Sequence, residues 1–380
     1  MTNTTAEKQL FEKSDEEKIY VAPPLLLMWW KFRKHKMAVI SGVVIILLYL
    51  VAIFCEAVAP YDPNQYFAQY KLAPPTKVHI IDSTGRLRMP FVYKIVQTKD
   101  KTTMRSIYTE DTSATYPISF FVKGSEYELW GLIPGDIHLF GLTGIKQGEQ
   151  GLFLFGADRL GRDLLSRLAY GARISLSIGL VGVVVSLILG IIIGGISGFY
   201  GGQVDIFIQR MIEFIRSIPQ IPLWMSLSAA LPATWPVINV YFGITIILSL
   251  ISWTGLARVV RGRFLALREE DFIMAARLNG SSEMRIILVH MVPSFLSYII
   301  ANLTLAVPGM IISETGLSFI GLGLRSPAIS WGVLLQEAQN LRSVVLAPWV
   351  FAPAIAVILT VLAFNFLGDG LRDAADPYAR

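Results

Sequence analysis

Residues that could catalyse a reaction or ligate a metal are few and widely separated in this sequence. No Gly-x-x-x-x-Gly-Lys-Ser/Thr phosphate loop occurs, so the chain is not expected to hydrolyse ATP itself, and no Gly-x-Ser-x-Gly nucleophile elbow is present. Cys55 is the only cysteine, which excludes disulfides and cysteine-ligated metals. The four histidines do not have metal-ligand spacing; they are His35, His79, His138 and His290. We therefore expect no catalytic, metal or cofactor residues, and a membrane enzyme is disfavoured.

One acidic residue lies in an otherwise uncharged apolar run. Glu314 follows a stretch that includes Pro308 and Gly309 and is long enough to cross a bilayer. An ionisable residue inside a membrane span is a candidate for the transport pathway. The alternative is that Glu314 forms an ion pair with an arginine of this chain or of a partner. Pro308 and Gly309 are expected to distort the span.

The most heavily charged segment of the second half of the chain covers residues 258–293. It contains six arginines and four acidic residues between two uncharged runs. Its apolar spacing predicts two short helices separated by Gly280. Ser281 or Ser282 is expected to cap the second helix, with Glu283 in its first turn.

The elements that must position these residues are membrane helices. The chain has 380 residues, of which 53% are hydrophobic and 16% are charged, well below the ~25% charged share of soluble domains. Apolar runs with at most one charged residue predict six spans: 37–59, 174–204, two spans within 217–257, about 294–322 and 344–367. Pro219 and Pro222 predict a kinked or broken third span. Gly190, Gly194 and Gly198 predict close packing of the second span against a neighbouring helix.

The distribution of lysine and arginine predicts that both termini are cytoplasmic. We divide the chain into a cytoplasmic tail (1–36), helix 1 (37–59), an insert (60–155), a core of helices 2–6 (156–368) and a cytoplasmic C-terminal tail (369–380). The insert has short β-like runs separated by turn residues. The fold class is thus an all-α polytopic membrane protein of six transmembrane helices, with a small β-rich extracytoplasmic insert between helices 1 and 2.

Two motifs resemble those of ABC importer permeases of the oligopeptide and dipeptide type. Residues 156–179 resemble the family signature GTDxxGRDxxSRxxYGxRxSLxxG, and physically they predict a short amphipathic helix that leads into the second span. An interfacial anchor and a role in substrate entry both remain open for this signature. The residues assigned to this extracytoplasmic signature are Asp158, Gly161, Arg162, Asp163, Arg167 and Arg173.

The 258–293 segment resembles the cytoplasmic coupling loop, or EAA loop, of the same permeases. The family pattern is Glu-Ala-Ala, three residues, Gly, nine residues and Ile-x-Leu-Pro, and here Met274, His290 and Val292 depart from it. By resemblance, this loop fits a groove on a separate ATPase subunit. The residues assigned to ATPase coupling are Asp271, Met274, Ala275, Ala276, Arg277, Gly280, Ser281, His290 and Pro293.

The resemblance implies a permease subunit of a binding-protein-dependent importer for peptides or similar oligomeric solutes, working by alternating access. Its implied partners are a sister permease subunit, two ATPase subunits that bind the ATP, and an extracytoplasmic substrate-binding protein. The implied location is a bacterial or archaeal plasma membrane, with no nucleic acid involved. An ATP-independent secondary transporter or channel is the alternative, and it would want ionisable residues near the midplane of the bilayer.

Overall fold

The computed structural model describes residues 24–82, 85–99, 101, 106–144, 150–232 and 234–375. Most of the predicted N-terminal tail and the end of the predicted C-terminal tail, residues 1–23 and 376–380, lie outside the described residues. The α-helices in chain order are α1 (Pro24–Lys34), α2 (Lys36–Ile53), α3 (Cys55–Val58), α4 (Leu164–Tyr200), α5 (Gly202–Ser217), α6 (Gln220–Ala229), α7 (Val237–Leu267), α8 (Asp271–Leu278), α9 (Glu283–Arg285), α10 (Val292–Ser294), α11 (Leu296–Phe319), α12 (Trp331–Leu335), α13 (Leu341–Leu346) and α14 (Ala352–Ala375). A π-helix covers Ile286–Met291, and 3-10 turns cover Ala68–Tyr70, Gln336–Gln339 and Pro348–Phe351.

Within the described residues, five helical segments are long and apolar enough to cross a membrane. They are α2, α4, α7, the part of α11 from Tyr298 to Phe319, and the run from Pro348 to Ala374 that contains most of α14. Their buried faces form one core, in which Leu176, Leu248, Ile311 and Phe364 pack together. The protein is therefore mostly helical, with several apolar helices packed side by side.

The predicted third span differs from the others, because the chain there forms two separate helices. Helix α5 carries charged residues, and α6 has only ten residues, about 15 Å of helix against a ~30 Å hydrocarbon core. The break falls at Ile218, whose ψ of 128° is extended. Pro219 explains the break, since a proline disfavours the helical conformation of the residue before it. The interruption was predicted from the prolines.

Helices α4 and α7 pack closely along the predicted glycine stripe. A Cβ added to Gly194 would lie 2.4 Å from the carbonyl oxygen of Ala257, and one added to Gly198 would lie 2.6 Å from that of Arg261. At Gly190 an added Cβ would lie 3.0 Å from the Leu256 side chain. The three glycines therefore allow the two backbones to approach as the sequence predicted.

Two helices depart from the sequence-based expectation in their extent. Helix α4 begins at Leu164, so most of the predicted short amphipathic lead-in is the first part of one 37-residue helix. Asp163 caps this helix by accepting a hydrogen bond from the Ser166 N–H at 2.7 Å. Helix α11 continues from Leu296 to Phe319 with Pro308 inside it, so the chain stays helical there.

A four-stranded antiparallel sheet lies between α3 and α4. Its strands pair in the order β1 (His79–Ile81), β2 (Leu87–Lys99), β3 (Ser106–Leu129) and β4 (Ile133–Leu142). The first half of β3 pairs with β2 and the second half with β4. At its base, Ile95 packs with Phe67, Tyr70 and Phe153 in an aromatic cluster that connects the sheet to the segments next to it in the chain.

Candidate functional site

The 258–293 loop is a folded extension of α7. Helix α7 ends at Leu267, and after a short turn α8 covers the eight residues Asp271–Leu278. Asp271 lies in the first turn of α8, where a carboxylate interacts favourably with the helix dipole. The two predicted helices are present: α8 precedes the glycine break, and the helical run from Glu283 to Ser294 follows it.

Gly280 ends α8 in a left-handed conformation, with φ of +73°. Its N–H donates to Arg277 O at 2.9 Å, and the Ser281 N–H donates to Ala276 O at 3.1 Å. These two hydrogen bonds define a Schellman cap, which needs a residue that tolerates positive φ. A Cβ at Gly280 would meet no atom within 4 Å. The requirement for glycine is thus conformational and does not come from crowding.

Helix α8 has one buried face and one exposed apolar face. Ile273 and Ala276 are buried against Phe264, Met291 and Phe295. On the other side, Met274 and Leu278 lie four residues apart and are 50% and 89% exposed, while Phe272, 45% exposed, lies on the flank next to Ala276. Of the two alanines assigned to coupling, Ala276 packs inward and Ala275 is exposed. The loop therefore presents an apolar ridge, defined here as Met274 and Leu278.

Side-chain contacts attach the loop to neighbouring helices. The Arg277 guanidinium lies 5.2 Å from the ring centroid of Phe199, and the Tyr200 hydroxyl donates to Glu283 at 2.7 Å. At the end of α7, the Arg261 guanidinium donates to both carboxylate oxygens of Asp205 in α5, at 2.5 Å each. Such bidentate pairs are geometrically specific. The loop is therefore attached to α4, and the end of α7 to α5.

The last part of the loop contains a π-helical turn before Pro293. The Val292 N–H donates to Ile287 O, five residues back, in place of the usual four. Pro293 has no N–H to donate, which interrupts the regular ladder at this point. His290 is half-buried, Pro293 is exposed, and Ser281 is half-buried beside the cap. Ser282 rather than Ser281 takes the N-cap position of α9, without a side-chain hydrogen bond.

The signature residues lie at the opposite end of α4 from the loop and form a buried network of arginines and carboxylates. Asp158 accepts hydrogen bonds from the N–H groups of Leu160 and Arg162 at 2.8 and 2.9 Å, and from Arg162 Nε at 2.6 Å. A second carboxylate, that of Glu337, lies 3.6 Å from Arg162, while Arg167 lies 3.7 Å from Asp158. Burial raises the pKa of Glu337.

Three further signature positions fix the chain around this network. At Gly161, φ is +81° and an added Cβ would lie 2.2 Å from Phe67 O, so the residue must be glycine for both reasons. Burial raises the pKa of Asp163 to about 7. Arg173 donates to the Glu56 carboxylate and, at 3.0 Å, to the carbonyl oxygens of Ala52 and Ile53 at the end of α2. The signature thus joins α4 to α2 and to the segment after α11.

Glu314 is completely buried between α4, α11 and the segment that follows α11. It accepts hydrogen bonds from Ser318 Oγ at 2.8 Å and from Ser175 Oγ at 3.2 Å. Those two hydroxyls also accept from the N–H groups of Leu324 and Trp331. In the part of the chain that the structure describes, Glu314 forms no ion pair with an arginine. The carboxylate therefore organises a hydroxyl network, and the described residues provide no ion pair with an arginine of this chain.

Family models match both ends of this fold. Residues 186–380 match the binding-protein-dependent transport system inner membrane component. Residues 24–75 match the N-terminal TM domain of oligopeptide transport permease C. The chain belongs to the family of binding-protein-dependent transport system inner membrane components, which are permeases. The 258–293 loop lies entirely within the first of these matched regions, residues 186–380.

Curated relatives have similar sequences over most of this chain. The oligopeptide transport system permease protein OppC of Haemophilus influenzae is 41% identical over 232 residues, which cover 61% of this chain and 72% of the relative. The dipeptide transport system permease protein DppC of Bacillus subtilis is 37% identical over 228 residues, 60% of this chain and 69% of the relative. The glutathione transport system permease protein GsiD of Escherichia coli is 32% identical over 358 residues, 94% of this chain and 91% of the relative. These relatives are permease subunits of ABC importers, so the permease is an integral membrane protein of that type.

Sequence reasoning missed two residues that complete these networks. Asp205 pairs with Arg261, 56 positions away in the chain. Glu337 was not singled out, although it approaches both Arg162 and the Arg159 N–H. No local signal identifies either partner, because only the packing of distant helices brings them together.

We expect Glu314→Gln to lower the free energy of unfolding of the permease by less than ~1 kcal/mol, because the amide oxygen still accepts from a hydroxyl. Glu314→Leu removes the acceptor of two buried hydroxyls, at about 1–3 kcal/mol for each. Thermal unfolding in detergent measures both effects, with Ser313→Ala in the same helix as the control. A Gln variant of normal stability whose uptake in proteoliposomes is lost would support a pathway role for Glu314.

Proposed function

We propose that this permease is one of two membrane subunits of an importer for peptides or similar oligomeric solutes, driven by two separate ATPase subunits. A sister permease completes the pathway, and an extracytoplasmic binding protein delivers the solute. The observation that carries the proposal is the apolar ridge of α8, which lies at the end of α7 on a folded and well-anchored loop. The substrate class rests on the relatives that transport oligopeptides, dipeptides and glutathione.

A membrane orientation with six crossings supports this assignment. Tyr200 contacts the 258–293 loop, while Val237 starts a 31-residue helix that ends at the same loop. The chain must therefore cross the membrane between these two residues, and only α5 and α6 are available for this. We infer that α5 and α6 together form the broken third crossing. The loop and both termini are then cytoplasmic, and the sheet between α3 and α4 is extracytoplasmic.

The anchoring of the loop supports a mechanical role. Ile273 and Ala276 share their packing with Phe199 of α4, Phe264 of α7 and Phe295 next to α11. A displacement of α8 would therefore move three membrane helices together. Such a packed unit can transmit the movement of an ATPase, which requires two arrangements of one element rather than mere contact.

An uncharged cleft supports a pathway for solutes of varied charge. A cavity of about 420 Å³ lies between α4, α6, α7 and α11. Its polar lining residues are all neutral: Ser186, Gln220, Trp224, Ser252, Asn302 and Ser313. A transporter coupled to ions would want ionisable groups in such a place. We infer that this cleft contributes the permease's half of the solute pathway.

Replacing Leu278 with Asp tests the proposed ATPase contact. We expect at least a tenfold loss of ATPase subunits that co-purify with the permease, because burying a leucine contributes about 1.5–3 kcal/mol and each 1.4 kcal/mol is tenfold in affinity. Leu341→Asp is the matched control, since Leu341 is 76% exposed on α13, away from the loop. Equal recovery of the ATPase with both variants would contradict the proposed role of the ridge.

A further inference from the structure

The turn between β3 and β4 holds a tryptophan in an unusual backbone conformation. Trp130 has φ of +56° and Gly131 has φ of +68°, and the Leu132 N–H donates to Leu129 O at 3.1 Å to close the turn. A left-handed conformation is unfavourable for a bulky residue, because its Cβ comes too close to the following carbonyl oxygen. Such an outlier persists only where its surroundings determine it, and it is a reason to look for a function.

Contacts with the end of α2 determine the position of Trp130. Its indole Nε1–H donates to Ile53 O at 2.9 Å, and its backbone N–H donates to Glu56 Oε1 at 3.2 Å. Ile53 is the last residue of the apolar helix α2. Glu56, just beyond it, pairs with Arg173. The turn is therefore held at the depth where the first membrane span ends.

The side chains at this turn are apolar and exposed. Trp130 is 56% exposed, Leu132 79% and Ile133 58%. They continue a surface of α2 on which Leu50 and Ile53 are also exposed and apolar. In a membrane span such a surface faces lipid, because no water is available there and the apolar side chains match the acyl chains.

We propose that the tip of the β3–β4 hairpin, defined as Trp130, Leu132 and Ile133, inserts into the outer leaflet of the bilayer and anchors the extracytoplasmic sheet to the membrane surface. Tryptophan is enriched at this depth, where its ring is apolar and its N–H is polar. The hydrogen bond from Trp130 to Ile53 satisfies that N–H while leaving the exposed part of the ring free to contact lipid. The anchor requires that α2 crosses the membrane, and its placement in the outer leaflet rests on the proposed orientation; it does not depend on the ATPase contact of the loop.

A lipid surface fits the tip better than a protein partner does. A stable protein interface uses about 20–30 residues on each side, whereas the tip offers three side chains. Because the tip continues the lipid-facing side of α2, its three side chains lie next to acyl chains. Moving these apolar side chains from water into the bilayer is favourable, and the chain is already held in the membrane by its spans.

Spin labelling tests the anchor directly. Cys55 is the only cysteine and is completely buried, so Leu132→Cys in a Cys55→Ser background carries a single label. Leu87→Cys is the matched control, because Leu87 is 81% exposed at the start of β2. Both variants are reconstituted in lipid nanodiscs with the assembled transporter. Collision of the label with oxygen, which partitions into lipid, is compared with collision with a water-soluble nickel chelate.

We expect the label at Leu132 to collide several-fold more with oxygen than with the chelate, and the label at Leu87 to show the reverse. Chelate access at Leu132 equal to that at Leu87 would overturn the proposal. A label at Leu132 that neither reagent reaches would also overturn it, because protein would then cover the tip. If Cys55→Ser does not fold, the buried native Cys55 is retained. The parent protein without Leu132→Cys is then treated with the same spin label, and its signal is subtracted as background.

Discussion

Gly194→Ala is expected to destabilise the permease by about 2 kcal/mol, although it adds only one methyl group. The new Cβ would lie 2.4 Å from the carbonyl oxygen of Ala257 and 2.8 Å from its Cα. Both are backbone atoms of α7, so the clash is relieved only if the two helices separate. Overpacking of this kind costs about 1–3 kcal/mol. Thermal unfolding in detergent measures the loss, and Gly194→Leu is expected to prevent recovery of folded protein.

Gly255→Ala is the control, because it makes the same substitution in a helix at a position without crowding. Gly255 lies within α7, and an added Cβ there would meet no atom within 4 Å. Alanine is up to ~1 kcal/mol better than glycine in a helix interior, so we expect this variant to be as stable as the parent or more stable. Equal stabilities of the Gly194 and Gly255 variants would show that the glycine stripe does not govern the packing of α4 against α7.

Gly280→Leu is expected to reduce ATP-dependent uptake about tenfold or more while leaving global stability almost unchanged. The left-handed conformation costs leucine about 1–2 kcal/mol, and 1.4 kcal/mol changes the population of the capped loop tenfold. Helix α8 has only eight residues and cannot hold its orientation without its cap. Uptake by proteoliposomes and the ATPase activity of the complex together show whether hydrolysis is uncoupled from transport.

Two control variants separate backbone strain from the size of the side chain. Asparagine tolerates the left-handed conformation, so Gly280→Asn is expected to retain most of the uptake. Gly262→Leu adds the same bulk on α7, where an added Cβ has open space and the backbone is helical. Transport by Gly280→Leu at the level of these two variants would contradict the role of the cap.

These two glycines show how differently the same residue type is used along the chain. At Gly194 the constraint is the distance between two helices, and at Gly280 it is the φ angle of one residue. Spacing alone was enough to predict both, since a four-residue repeat faces one side of a helix and a glycine after a short periodic run ends it. The φ angle at Gly280 is a local property, whereas the close contact of Gly194 with Ala257 depends on the packing of α4 against α7.

The membrane character and the two-helix form of the 258–293 loop follow from local patterns, whereas the permease family was predicted from the resemblance of two motifs. Six spans were predicted, and the described residues contain five helices long and apolar enough to cross a membrane. Membrane spans are read from runs of uncharged residues because the bilayer imposes a minimum apolar length. The interruption of the third span was likewise predictable from Pro219, although its division into a charged α5 and a ten-residue α6 was not.

The tertiary structure alone decided which polar groups meet. Glu314 could have paired with an arginine, but the packing of α11 against α4 surrounds it with serine hydroxyls. Asp205 and Arg261, and Glu337 and Arg162, come together across long separations in the chain. Local sequence constrains the backbone within one or two helical turns, whereas the partner of a buried charge depends on how distant helices pack. The exposed ridge of α8 and the strained tip at Trp130 were hidden for the same reason, because exposure is a property of the packed whole.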